Sequence, residues 1–132
     1  MAHQNLVLVV DDDPGMLKGI QRLLRQHAYE PILFSSAEAF KHHTNFENVA
    51  CVILDINLND GSGIELRHGL NAADVSVPVI YITSNDTPAV REAALDSGCI
   101  AFLTKPFSVL QLIEPLKRAG RHPNTRDTVK LL

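Results

Sequence analysis

The stretch LVLVVDDDPG, residues 6–15, drives five consecutive apolar residues into three carboxylates at Asp11, Asp12 and Asp13. An apolar run of strand length, without alternation, is what a parallel sheet covered on both faces requires. Four more such runs follow: PILF (31–34), CVIL (51–54), VIYIT (79–83) and AFLT (101–104). Each is succeeded by a segment with helical spacing. In the first, Asp13 reads as the N-cap, Pro14 as the first helical residue, and Met16, Leu17, Ile20, Leu23 and Leu24 as one apolar stripe. The fourth has Thr87 as cap, Pro88 at its start, Val90, Ala93, Ala94 and Leu95 inside, and Gly98 as its stop. Weaker helical patterns occupy about 36–43 and 63–72. A last one, about 109–119, carries Pro115, which removes a hydrogen bond and predicts a kinked or shortened helix.

Five strands alternating with five helices imply right-handed crossovers and an α/β fold with a doubly wound parallel sheet. In such sheets ligands bind beyond the carboxyl ends of the strands. Composition agrees with a single folded unit. The chain has 132 residues, 45% hydrophobic and 20% charged, which excludes wholesale disorder. A net charge of -3 predicts affinity for neither DNA nor a membrane surface. No apolar stretch approaches the roughly 20 residues of a membrane span, and Met1–Asn5 has no secretory pattern, so a cytoplasmic location is expected. The last twelve residues, RHPNTRDTVKLL, carry three basic side chains and one acid; they read as a basic tail, 121–132, or the start of a linker behind a domain over 1–120.

Cys51 and Cys99 lie in apolar surroundings without paired spacing and read as packing thiols. His42 and His43, adjacent in sequence, would point about 100° apart on a helix and read as surface residues, not metal ligands. There is no P-loop and no strand-linked GxGxxG, and GSG at 61–63 reads as a turn.

The strand ends carry the chemistry. The first strand ends in Asp11 and Asp12, the third in Asp55, the fourth in Thr83, and Lys105 with Pro106 lies just past the fifth. Each residue alone would pass for a cap or loop residue, as Asp13 does. All five on one sheet edge gather three carboxylates, a hydroxyl and an ammonium. Carboxylates so close repel one another and stay ionised most readily beside a cation or a basic partner. Oxygen ligands of this kind suit magnesium, which takes one or two carboxylates and keeps several waters. A phosphoryl group on a carboxylate would be matched by the metal, by Lys105 and by the Thr83 hydroxyl.

The ordered motifs VVDDDP, VILDINLNDGSGIEL, PVIYITS and FLTKPF resemble the receiver domains of two-component response regulators over residues 6 to about 119. FSSAEAF and FLTKPFSVLQL are similar to the FixJ-like branch, whose receivers usually precede a helix-turn-helix DNA-binding domain. The resemblance implies a CheY-like, flavodoxin-like fold with five strands in the order 2-1-3-4-5. It implies that Asp55 is the phosphoacceptor for a sensor histidine kinase. Asp11, Asp12, Asp55 and the backbone carbonyl of Asn57 would hold Mg2+, with Mn2+ as a substitute. Thr83 and Phe102 would be switch residues, Lys105 the phosphate-binding lysine, and the Lys105–Pro106 bond cis. The face of the fourth helix, fifth strand and fifth helix would change shape and offer a homodimer surface. DNA would be reached only through an output domain outside this chain, and no membrane partner is implied.

Leu58-Asn59 departs from the Met-Pro common in relatives, which alters the loop's flexibility, and neither Asn57 nor Asn85 can act as a base toward a hydrolytic water. The resemblance thus implies a signalling domain with self-catalysed transfer and autodephosphorylation only. A stand-alone phosphorelay receiver is the alternative output. An aspartyl phosphatase of the haloacid dehalogenase type would need an acid where Asn57 stands. A scaffold that binds without phosphorylation would not need the intact set of five.

Overall fold

In the computed structural model, which describes residues 5–120, twelve elements follow in order. They are β1 (Leu6–Val10), α1 (Pro14–Gln26), β2 (Glu30–Phe34), α2 (Ala37–Lys41), β3 (Val49–Asp55), β4 (Asn57–Leu58), β5 (Gly61–Ser62), α3 (Gly63–Ala72), β6 (Val79–Thr83), α4 (Pro88–Ser97), β7 (Ala101–Thr104) and α5 (Val109–Gly120). Five strands pair in parallel in the order β2-β1-β3-β6-β7. Counted over the long strands, that is the expected 2-1-3-4-5. The tail at 121–132 lies outside the described residues.

Successive strand residues point to opposite faces, and both faces are covered. On one side Leu8, Val10, Val52, Leu54, Val79 and Tyr81 pack under α2, α3 and α4, with Phe40, Leu66, Leu70 and Ala94. On the other, Val7, Val9, Cys51, Ile53, Ile80 and Ile82 pack against Leu17, Ile20 and Leu24 of α1 and Leu112, Ile113 and Leu116 of α5. The unbroken apolar runs thus serve two cores. Cys51 is fully buried, and burial pushes its thiol up to about 12, as befits a packing residue.

Side-chain caps set the helix starts. Asp13 accepts from the Gly15 N–H at 2.9 Å, Ser36 from Ala39 at 3.0 Å, Ser62 from Ile64 at 3.1 Å and Thr87 from Val90 at 3.2 Å. At α5, the Gln111 N–H donates to Ser108 Oγ at 3.2 Å while the Ser108 N–H donates to Gln111 Oε1 at 2.7 Å, a reciprocal capping box. Gly98 ends α4 at φ 92°, a conformation that glycine adopts without strain.

Four local expectations need correction. Helix α5 is not shortened at Pro115 but continues to Gly120. Pro115 is itself buried on the same stripe as Leu112, Leu116 and Ala119, so packing outweighs the hydrogen bond it lacks. Helix α2 is shorter than the pattern over 36–43, ending at Lys41. The GSG stretch is not a simple turn, because Gly61–Ser62 pairs antiparallel with Asn57–Leu58 and Gly63 opens α3. His43 is half-buried, its ring edge-on to Phe34 and Phe46 with centroids 5.4 and 5.3 Å away.

Candidate phosphoacceptor site

Register brings the chemistry to one edge. Val10 pairs with Leu54, Asp55 with Ile82, and Thr83 with Thr104, so the residues that follow emerge side by side. Asp11 and Asp55 are almost completely buried, at 0% and 3% exposure, while Asp12 is half-buried and Asp13 is exposed. One ligand oxygen from each of Asp11, Asp12 and Asp55 lies within 4.8 Å of the others.

Lys105 closes this group. Its ammonium donates to Asp11 Oδ2 at 2.9 Å and to Asp55 Oδ2 at 3.1 Å, with only 15% of the side chain exposed. It lies just past the end of β7 and is joined to Pro106 by a cis peptide bond. Burial, and next the charge on Asp11, push the Asp55 carboxyl up to about 6, against the opposing pull of Lys105 and of the Asn57 N–H. Burial works against the charge on Lys105, but the two carboxylates outweigh it and raise its pKa above the ordinary lysine range.

The remaining oxygens are held by backbone amides. The Asp13 N–H donates to Asp11 Oδ1 at 2.9 Å, the Asn57 N–H to Asp55 Oδ1 at 3.0 Å, and the Asn59 N–H to Asp12 Oδ2 at 2.7 Å. The hairpin carrying Asn57 and Asn59 is pinned at its tip. Asp60 accepts the N–H groups of Ala37 and Glu38 at 2.9 and 3.0 Å, contacts that hold its carboxyl below the usual carboxylate range. At the hairpin's other end Gly63 lies so close to β3 that a Cβ there would sit 2.4 Å from the Asp55 carbonyl oxygen.

Thr83 is fully buried, and its hydroxyl donates to Asn57 Oδ1 at 2.9 Å while accepting the Asn85 N–H at 3.0 Å. Asn57 thus touches both Asp55 and Thr83. Phe102 is half-buried on β7, with the Arg91 guanidinium 4.6 Å from its ring centroid. Arg91 also pairs with Asp86, whose carboxyl is held low first by Arg91 and then by the Thr104 hydroxyl at 3.1 Å. The structure therefore brings Asp11, Asp12, Asp55 and Lys105 into one group, sets Thr83 beside it through Asn57, and leaves Phe102 one step outward on the neighbouring strand. Sequence reasoning noted Asn59 only as a departure in the loop and passed over Asp60. Their contacts run through a backbone amide and a helix start 47 and 23 residues away, for which no spacing pattern exists.

A doubly wound sheet with this acidic edge and a lysine closing it defines a phosphoryl-accepting signalling domain. The response regulator receiver domain family matches residues 7–117, and the chain belongs to that family. It is 34% identical over 117 residues to the heme response regulator HssR of Staphylococcus saprophyticus, a match covering 89% of this chain and 52% of that one. It is 28% identical to the transcriptional regulatory protein FixJ of Rhizobium meliloti, covering 88% and 57%. A CheY-like receiver domain from Methanospirillum hungatei superposes with a TM-score of 0.85 at 22% identity, over 96% of this chain and 99% of that one, a likeness of fold. The chain spans about half the length of the curated relatives it matches. Receiver domains accept phosphoryl groups in two-component signalling and typically bind Mg2+ at an acidic pocket. No helix among the described residues is long and apolar enough to cross a membrane.

Proposed function

We propose that Asp55 is the phosphoacceptor. A carboxylate oxygen of Asp55 attacks the phosphorus of a phosphohistidine on a sensor histidine kinase, the P–N bond breaks, and its electron pair leaves with the imidazole. The observation that carries this reading is the single ammonium of Lys105 shared between Asp11 and Asp55, at 2.9 and 3.1 Å. It already stands beside the acceptor oxygen, where it can neutralise a phosphoryl oxygen without moving far.

The three carboxylates fit a divalent metal in donor chemistry and in mutual distance, with Asp11, Asp12 and Asp55 as ligands; the family resemblance adds the Asn57 backbone carbonyl as a further ligand. Mg2+, or Mn2+ in its place, would supply positive charge to the transferring phosphoryl group. Thr83 is the switch hydroxyl: to reach a phosphoryl oxygen it must exchange its bond to Asn57 Oδ1, and because it also accepts the Asn85 N–H its movement would draw on the segment leading into α4. Phe102 then responds on β7, so the surface of α4, β7 and α5 carries the signal to a partner or a second copy. Moving a 1:99 population to 99:1 takes about 5.5 kcal/mol of differential stabilisation. Neither Asn57 nor Asn85 can serve as a base, so autodephosphorylation is not accelerated by them. The likeness to FixJ supports transcriptional output through a separate domain, and a cytoplasmic location goes with that reading.

Incubation with acetyl phosphate and Mg2+ followed by intact mass measurement tests the reading. A gain of one phosphoryl group that disappears in Asp55→Asn is expected; no gain, or an equal gain in the variant, overturns it.

A further inference from the structure

A cavity of about 540 Å3 opens between α2, the segment that follows it, and α3. It runs along α3 from Glu65 to Ala73, away from the phosphoacceptor edge and toward Phe46 and Val75, which precede β3 and β6. Its interior is apolar: Phe40, Leu66 and Leu70 are buried core residues, and Phe46 and Val75 pack against them. The Phe40 and Phe46 rings meet edge to face with centroids 6.1 Å apart, and His43 meets Phe46 in the same way at 5.3 Å. This size and lining suit a small organic ligand, and an aromatic ring would find aromatic partners there.

Two further observations narrow its chemistry. Gly69 lines the cavity from the interior of α3, where glycine is a poor helix former, and a Cβ there would meet nothing within 4 Å. No packing contact requires glycine at this position, and the missing side chain keeps the cavity open. At the rim Lys41 of α2 and Glu65 of α3 are both exposed. Among the described residues neither makes a hydrogen bond or an ion pair, with each other or with any third group; Lys41 lends only longer-range charge to Asp60.

We infer that this cavity binds a free aromatic amino acid, its ring inside among Phe46, Leu66 and Leu70, its carboxylate toward Lys41 and its ammonium toward Glu65. An apolar interior rimmed by one unpaired cation and one unpaired anion is complementary to a zwitterion with an aromatic side chain. A purely anionic or cationic aromatic compound leaves one rim charge unanswered, and an aromatic side chain within a peptide brings neither charge. Ion pairs at an exposed rim are weak, so burial of the ring supplies most of the affinity and the two charges supply the selectivity. The site shares no residue with the phosphoacceptor group, so the inference is independent of the reading of Asp55.

Isotope-labelled protein titrated with L-tryptophan to about 5 mM and followed by amide NMR tests it. Saturable shifts are expected at Phe46, Gly69 and Leu70, with a dissociation constant of about 1 mM or tighter. Tryptamine, indole-3-propionate and N-acetyl-tryptophanamide lack the carboxylate, the ammonium and both charges respectively, and each should bind about threefold or more weakly. Glu65→Gln, a change at an exposed position, should weaken tryptophan by a similar factor and leave indole-3-propionate unchanged, whereas Gly69→Leu should weaken every compound by narrowing the cavity. Absence of saturable shifts at these residues overturns the inference, as does an unchanged tryptophan affinity in Glu65→Gln. Tryptamine or indole-3-propionate binding as tightly as tryptophan overturns it too. Equal binding of N-acetyl-tryptophanamide would assign the cavity to a side chain of a partner protein and overturn it as well. If Gly69→Leu does not fold, the four compounds and Glu65→Gln decide the matter.

Discussion

Asp55 is held in a form the fold does not favour. Its carboxyl titrates near about 4 in an unfolded chain, but burial and the Asp11 charge raise it to about 6 in the folded protein. A carboxyl whose folded pKa lies above its unfolded one costs stability when ionised, and the full cost is present above pH 6. As pH falls from about 6 toward about 4 the native state takes up the proton first, and the cost vanishes. Asp55→Asn is therefore more stable than wild type at pH 7.5 in the absence of divalent metal, and the advantage shrinks on acidification through that window. Urea denaturation at a series of pH values measures it; an advantage independent of pH would refute the account. The residue names at this site were legible in the sequence, since all five lie at or just past strand ends. The sharing of one ammonium between two carboxylates was not, because it depends on a contact between residues 94 positions apart.

At the scale of elements, the loop between β3 and α3 does the most with the least sequence signal. Two-residue strands are too short for any periodicity, so the β4–β5 hairpin could not be read in advance. The long elements were readable: VIYIT is β6 without adjustment, and Pro88 with Gly98 brackets α4. Gly63 joins the hairpin to α3 against the Asp55 carbonyl, where a Cβ would approach backbone atoms at 2.4 and 3.0 Å. Backbone cannot yield as a side-chain tip can. Gly63→Ala should cost about 1–3 kcal/mol, measured by urea denaturation, and should lower the rate of Asp55 phosphorylation by moving its loop. A variant with wild-type stability and rate would show that β3 and α3 separate more readily than the packing implies.

On the scale of the whole molecule, the two cores differ in how they are tied. The buried cluster against α1 and α5 is hydrophobic, whereas the α3 and α4 side holds a polar network around Ser97. The Tyr81 hydroxyl meets Ser97 Oγ at 2.6 Å, and Ser97 Oγ donates to the Ala94 carbonyl at 2.8 Å. Tyr81→Phe should lose about 1 kcal/mol, the usual worth of one buried hydrogen bond, in thermal or urea unfolding. No loss would mean that Ser97 is satisfied by Ala94 alone. The sequence identified Tyr81 as a strand residue and Gly98 as the stop of the fourth helix, but the pairing of Tyr81 with Ser97 follows from the packing of α4 over β6, which only the assembled sheet fixes.

The same network continues through α3. Arg67 donates to the carbonyls of Gly98 and Val77, each at 3.0 Å, and Asn71 donates to the Ser97 carbonyl at 3.3 Å. The C-terminal end of α4 is thus anchored at a fulcrum, while its other end begins five residues after Thr83. Ten helical residues make a lever about 15 Å long. A displacement of about 1 Å at the Thr83 end would tilt such a lever by about 4°, carrying Arg91 and the exposed Leu95 with it. In the proposed switch, the amplitude of the surface change would be set by how firmly Arg67 and Asn71 hold the far end, not by the chemistry at Asp55.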